Sequence, residues 1–191
     1  MSKISSPAAA AGKKPASMTT RTLTYCALLA ALSFVLARLM GFMPTQVSRF
    51  SIEAIPVFLA GTFFGPLAGA LVGFTADLVG ALFSGYGYNP LLCVPPILYG
   101  VCGGLFRFFL NKRVSIPRLL LAYAPAVVLG SILWQSFALS FVYGKGFWLL
   151  LSTRTIQFAI TMVLEVLVTF FLFRSRMFHR MGIWPLGTLQ K

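Results

Sequence analysis

Long runs of apolar residues recur along this sequence, and they restrict the chain to one kind of environment. Hydrophobic residues make up 58% of the 191 residues and charged residues only 10%, whereas a typical soluble domain carries about 25% charge. An α-helix needs roughly 20 apolar residues to cross the hydrocarbon core of a bilayer. Runs of about that length predict an integral membrane protein, and the need to satisfy backbone hydrogen bonds inside lipid predicts that its spans are helices.

The fold class predicted by these runs is an all-α integral membrane protein with six transmembrane helices. We place the helices at 23–43, 53–64, 66–84, 91–110, 118–143 and 154–174. The second and third are separated at Gly65-Pro66, because glycine is enriched just after helix ends and proline just inside helix starts. The pair Pro95-Pro96 should kink or delay the start of the fourth. Five glycines have the spacing of close helix–helix packing: Gly61, Gly65, Gly69, Gly73 and Gly80.

Basic segments flank a membrane domain that we expect to extend over 21–176. Residues 1–20 are rich in Ser, Ala, Lys and Pro without periodicity, which predicts a disordered cytoplasmic tail. Residues 177–191 begin with aromatic and basic side chains that are typical of an interfacial segment on the cytoplasmic surface.

The distribution of positive charge predicts the orientation in the cell membrane. The sequence contains 16 Lys and Arg against 3 acidic residues, a net charge of +13. Because cytoplasmic segments are enriched in Lys and Arg, both termini and the loop between helices four and five should be cytoplasmic and meet anionic lipid. The charge does not predict a nucleic-acid partner, since no basic face interleaved with aromatic residues lies outside the spans. The cations concerned number 12 of the 16: Lys3, Lys13, Lys14, Arg21, Arg107, Lys112, Arg113, Arg118, Arg174, Arg176, Arg180 and Lys191.

Enzyme and metal-site motifs are missing from the sequence. Cys26, Cys93 and Cys102 lie in apolar runs without a CxxC pair, and His179 is the only histidine, so we expect packed cysteines and neither a metal nor another cofactor. No nucleotide-binding loop or hydrolase motif occurs. We therefore expect a protein without its own ATPase site, whose uphill transport would depend on a partner or an ion gradient.

Polar and aromatic residues cluster in the segments predicted to be extracellular. Arg49 and Arg154 lie there at helix ends or in loops and could bind an anionic ligand, because guanidinium groups match carboxylates bidentately. The alternative, which we favour for Lys145, is that such cations extend to lipid headgroups. Aromatic rings and amides suit a flat heterocycle, although single rings also belong to the aromatic belt of membrane proteins. The candidates in loops are Phe50, Tyr86, Tyr88 and Asn89, and those within helices are Trp134 and Gln135 in helix five and Gln157 one turn into helix six.

Two acidic residues lie within predicted spans. An ionised carboxylate near the bilayer centre costs about 2.5–3.5 kcal/mol on insertion scales, so it usually faces a cavity or a partner. We assign Asp77 to ligand binding and Glu165 to a structural pairing between helices. One alternative is an intramembrane enzyme with these two as acid–base groups, but neither is accompanied by a nucleophile or a metal cluster. The other is a structural membrane protein, for which the polar cluster would be unnecessary.

One block of the sequence resembles a known family. It resembles the S-components of energy-coupling factor (ECF) vitamin transporters, and within them it is most similar to the folate-specific family. The resemblance covers about 20–175, and its specific part is 49–90. The residues that carry it are Arg49-Phe50-Ser51-x-x-x-Ile55-Pro56, Gly61, Gly65-Pro66-x-x-Gly69, Gly73, Asp77, Gly80 and Tyr88-x-Pro90.

The resemblance implies an S-component-like bundle that captures a vitamin at the outer face. It implies docking on an ECF transmembrane coupling subunit with two ATP-binding subunits, through small residues that match Ala27-x-x-x-Ala31. Folate is the implied ligand, with another vitamin as the alternative. Its flat pterin and its glutamate carboxylates suit the aromatic rings and the outer arginines. We expect Arg49 and Arg154 to bind the carboxylates and Asp77 to accept from the pterin's amino and ring N–H groups.

Overall fold

Helices account for nearly all of the residues that the structure, a computed structural model, describes; these are 20–40, 52–83, 88–112, 114–144 and 146–175. Eight α-helices follow one another in these ranges. A short 3₁₀ turn, Pro90–Leu92, precedes α4, and a π-helical segment, Ala126–Trp134, joins α6 to α7. The α-helices are α1 Thr20–Met40, α2 Ala54–Phe64, α3 Pro66–Leu82, α4 Val94–Leu105, α5 Arg107–Lys112, α6 Ile116–Pro125, α7 Gln135–Tyr143 and α8 Phe147–Arg174.

Six apolar helical segments correspond to the predicted spans, and the all-helical membrane fold is confirmed. Three segments are long and apolar enough to cross a bilayer: Thr20–Leu39, Ile116–Val142 and Phe147–Arg174. Three are shorter: Ala54–Phe64, Pro66–Leu82 and Pro90–Leu105. The 11 residues of α2 measure only about 16 Å at 1.5 Å per residue, so α2 reaches part of the way through the bilayer.

The last helix begins earlier than the sequence predicts. Its first residue is Phe147, whereas we expected the helix to start at Arg154, with the preceding residues in a loop. Ser152 and Thr153 do not break it, because their hydroxyl groups donate to the carbonyl oxygen of Leu149 at 3.1 and 2.9 Å. The two proline positions act as predicted: α2 and α3 are divided at Gly65, and regular helix α4 starts only at Val94.

Glycines bring α2, α3 and α4 into backbone contact. A Cβ atom at Gly61 would collide with the carbonyl oxygen of Gly100, and one at Gly100 would collide with that of Gly69. Small residues permit such close approach and the dispersion contacts that stabilise helix pairs in lipid. The three helices therefore form a rigid layer against which α6, the π-helical segment and α8 pack.

Gly100→Ala is expected to destabilise this layer strongly. Overpacking a tight core costs about 1–3 kcal/mol, and here the colliding atom is backbone, which cannot move aside. Thermal unfolding in detergent should show a clear fall in Tm. Gly80→Ala is the matched control, because a Cβ there meets nothing within 4 Å; equal shifts in both variants would contradict the packing account.

An aromatic cluster joins five elements in the interior. The ring of Phe58 on α2 stacks on that of Tyr123 on α6 at 4.0 Å, and the Tyr123 hydroxyl is hydrogen-bonded to Thr169 on α8 at 2.9 Å. Tyr99 on α4 meets Tyr123 edge-on, and its hydroxyl is 3.3 Å from that of Ser131 in the π-helical segment. These residues form a buried aromatic cluster inside the bundle.

Candidate functional site

A line of polar side chains follows one face of α8 into the interior. Its members recur every three or four residues, the spacing of a single helix face, and extend over about four turns. Polar groups in a membrane interior are expensive unless they have polar partners or line a site. The stripe is therefore the strongest indication of a ligand path in the described residues. Its buried members are Arg154, Gln157, Thr161, Glu165 and Thr169.

Arg154 is the first residue of this stripe, at the end nearest the start of α8. It is about two turns inside α8 and only 9% exposed, which corrects our expectation of a helix-end or loop position. Its guanidinium carbon is 5.8 Å from the ring centre of Phe158. Its Nε and Nη1 atoms have no hydrogen-bond partner among the residues that the structure describes. Buried donors of this kind are nearly always satisfied, so the arrangement fits an anion that completes the site.

Ser136 is a second buried polar residue with an unpartnered side chain, and sequence reasoning missed it. It lies on α7, which packs against α8. Its side chain is 0% exposed, and its hydroxyl oxygen lacks a partner within the described ranges. Serine is ordinary in transmembrane helices, so only its position beside Gln135 could have indicated a role.

Asp77 and Tyr88 are brought together through Cys93. Asp77 is half-buried on α3, and Tyr88 is exposed just before the 3₁₀ turn. The thiol of Cys93 lies close to the Asp77 carboxyl and to the Tyr88 hydroxyl. We expected all three cysteines to pack as hydrophobic residues, and the polar contacts of Cys93 depart from that. A direct contact of Asp77 or Tyr88 with ligand stays a prediction.

Asn89 and Trp134 hold the 3₁₀ turn in place. The side-chain oxygen of Asn89 accepts from the backbone N–H of Leu91 at 3.1 Å, and the indole N–H of Trp134 donates to the Leu91 carbonyl oxygen at 2.8 Å. Their polar edges therefore have structural partners. The ring of Trp134 is 36% exposed, and its stacking on a ligand stays a prediction.

Of the remaining residues predicted to bind ligand, the structure describes only Gln135 and Gln157. Gln135 is half-buried at the start of α7, and Gln157 is buried one turn after Arg154. Arg49, Phe50 and Tyr86 lie outside the described residues, as do Lys145, residues 1–19 of the predicted N-terminal tail and the tail 177–191.

Ala27 and Ala31 differ from the polar stripe in being apolar and exposed. Both are exposed on α1, next to the large exposed side chains of Leu28 and Leu32. This face of α1 is free of the described part of the bundle, so the alanines are open to lipid or to another protein.

Glu165 lies three turns further along α8 than Arg154. Its side chain is 2% exposed, and Oε2 has no hydrogen-bond partner in the described part of the chain. The structural pairing between helices that we expected for this residue stays a prediction.

Comparisons with known proteins identify the family. The family model for the substrate-specific component of ECF transporters matches residues 21–173. The folate transporter FolT of Clostridium novyi (strain NT) is 31% identical over 153 residues, an alignment that covers 76% of this chain and 84% of that protein. A crystal structure of FolT bound with folic acid is similar at a TM-score of 0.70 and 28% identity, covering 81% of this chain and 94% of that chain. The chain therefore belongs to the substrate-specific components of ECF transporters, a family of multi-pass membrane proteins that supply the transporter's substrate-binding subunit.

Proposed function

We propose that this protein binds folate, or a closely related pterin with a glutamate tail, as the substrate-specific component of an ECF importer in the cell membrane. The observation that carries the proposal is the buried Arg154, whose Nε and Nη1 atoms have no partner among the described residues. The resemblance to a folate transporter at 31% identity supports the same ligand.

The chemistry of folate suits the two kinds of group that the site combines. Its glutamate end carries carboxylates, which a buried guanidinium binds with charge-assisted hydrogen bonds. Its pterin is flat and carries an amino group and a ring N–H, which need stacking surfaces and acceptors. Thiamine and riboflavin lack the pair of carboxylates, so they would leave Arg154 without an anion.

The carboxylate end of the ligand is assigned to Arg154, with Arg49 as the predicted second cation. For the pterin end the chain offers two carboxyl groups, that of Asp77 and that of Glu165. The polar stripe between Arg154 and Glu165 lies on one face of α8, which suits an elongated ligand that lies along the helix.

Energy for import is proposed to come from partners. We propose a transmembrane coupling subunit, which docks on the exposed face of α1 at Ala27 and Ala31, and two ATP-binding subunits. Both termini would be cytoplasmic, as the positions of 12 of the 16 Lys and Arg residues predict, and the ligand would enter from the opposite side.

The ligand that accompanies the purified chain tests this proposal. The chain is produced without other subunits, purified in detergent and denatured, and the released small molecules are identified by mass spectrometry. We expect a pterin with a glutamate tail, with markedly lower occupancy in Arg154→Ala. An unrelated membrane protein from the same cells is the control for carry-over. A different vitamin in stoichiometric amount would contradict the assignment.

A further inference from the structure

A fully buried carboxyl group with an unused oxygen lies deep in the bundle. Glu165 is 2% exposed, and its Oε2 atom has no hydrogen-bond partner among the residues that the structure describes. Leaving a buried polar group unsatisfied is unfavourable, more so for a group that can carry charge. Such a group in a binding protein indicates that the ligand supplies the missing donor.

The hydroxyl groups around Glu165 already have partners. Tyr99 and Tyr123 are close enough to interact electrostatically with its carboxyl. The Tyr99 hydroxyl is bonded to Ser131 and the Tyr123 hydroxyl to Thr169. Either hydroxyl of each pair can be the donor, and both pairs hold the tyrosine hydroxyls in place near the carboxyl. The rings of the two tyrosines meet edge-on at 65° and add two apolar walls to this region.

Glu165 and Arg154 are placed to hold the two ends of one molecule. Eleven residues separate them, which is about three turns and about 16 Å along one helix face. Gln157 and Thr161 lie between them on the same buried stripe. An unpartnered acceptor at one end and unpartnered donors at the other match a ligand with a donor-bearing heterocycle and an anionic tail.

We propose that Glu165 is the residue that recognises the pterin, accepting from its amino group and adjacent ring N–H while the glutamate tail is bound at Arg154. The pterin would then lie deepest, against Tyr99 and Tyr123. This inference rests on the proposed function. It replaces the structural role expected for Glu165 and moves pterin recognition away from Asp77, which is only half-buried and lies beside the Cys93 thiol.

Titration of Glu165→Gln with fragments of folate tests the assignment. An amide presents one acceptor and one donor where the carboxylate presents two acceptors, so it mismatches the pterin edge. We expect folate and a tail-less pterin to bind about ten- to a hundredfold more weakly. The pterin-free fragment p-aminobenzoylglutamate should be affected less than about threefold. Binding is followed by tryptophan fluorescence, or by competition for the weaker fragments.

Two companion variants separate ligand contact from packing. Thr62→Val keeps the side-chain shape and removes a buried hydroxyl on α2 that donates to the Phe58 carbonyl oxygen at 2.9 Å, so it should lower stability while leaving folate binding within about threefold. Asp77→Asn is the matched acid-to-amide change on α3; a pterin-specific loss there, with normal binding by Glu165→Gln, would overturn the inference. If Glu165→Gln does not fold, Glu165→Asp retains the charge and retracts the carboxyl, and the same selective loss is expected.

The outcomes distinguish this inference from the proposed function. A wild-type protein that binds none of the three ligands contradicts the proposed function itself. A wild-type protein that binds folate while Glu165→Gln binds it equally well contradicts only the role of Glu165. An equal loss of all three ligands in both Glu165 variants would show that the residue supports the fold and does not contact the pterin.

Discussion

Replacement of Arg154 by alanine is expected to weaken folate binding by about ten- to a hundredfold. Charge-assisted hydrogen bonds contribute on the order of 1.5–3 kcal/mol, and tenfold in affinity corresponds to about 1.4 kcal/mol. Arg154 is buried with unpartnered nitrogen atoms, so its bonds to a carboxylate would form away from competing water. The measurement is an equilibrium titration followed by quenching of Trp134 and Trp148.

The same change should scarcely affect a pterin without the glutamate tail. Without the tail Arg154 has no partner in the ligand, and sites at separate ends of a ligand act nearly independently, so the substitution removes no contact to the pterin. Arg38→Ala is the matched control, because Arg38 is an exposed arginine whose guanidinium donates to the Gly80 carbonyl at 3.0 Å. Equal losses for folate and the tail-less pterin in Arg154→Ala would contradict the orientation proposed for the ligand.

Ala31→Trp is expected to abolish folate uptake by cells while the purified protein still binds folate within a few-fold of the wild type. Ala31 is exposed on α1, so the larger side chain should not disturb the protein's own packing. It would instead prevent the close approach of a partner helix, which small residues allow. Uptake of labelled folate is measured in cells that contain the coupling subunit and both ATP-binding subunits, and Ala27→Trp should behave alike.

Leu32→Trp is the control for the effect of placing a tryptophan on α1 outside the proposed docking positions. Leu32 is already large and is 49% exposed, and it projects about 100° around the helix from Ala31. Uptake by this variant should stay close to that of the wild type. Parallel loss of uptake and of ligand binding in Ala31→Trp would mean that the alanines support the protein's own fold.

The sequence predicts the spans well because lipid imposes a simple requirement. Apolar runs and the Gly65-Pro66 break place most helix ends within a few residues of their observed positions. One exception is the predicted fourth helix, which ends at Leu105 and is followed by the separate helix α5. The other is the start of α8, where Arg154 suggested a helix end. Since the same arginine can extend to headgroups or be buried against a ligand, composition alone does not distinguish the two, and the structure places it inside.

The candidate site was predicted less completely, for a different reason. Asn89 and Trp134 are suitable ligand residues by type, but their polar edges bind the backbone of Leu91, a local geometry that sequence patterns do not reveal. Ser136 and Glu165 matter through burial without a partner, which is a property of the packed bundle. The periodicity of polar residues on α8 shows which helix face is polar. Only the structure shows which atoms on that face are buried and which have hydrogen-bond partners.

Titration of the purified wild-type chain, alone in detergent, with folate, riboflavin and thiamine is the most direct test of the central claim. The claim is that this single subunit, without coupling subunit or ATPases, carries a complete site for a pterin with an anionic tail. We predict saturable one-to-one quenching by folate, with the other two vitamins at least about a hundredfold weaker, a difference of about 2.8 kcal/mol. Saturable binding of riboflavin or thiamine without binding of folate would contradict the account.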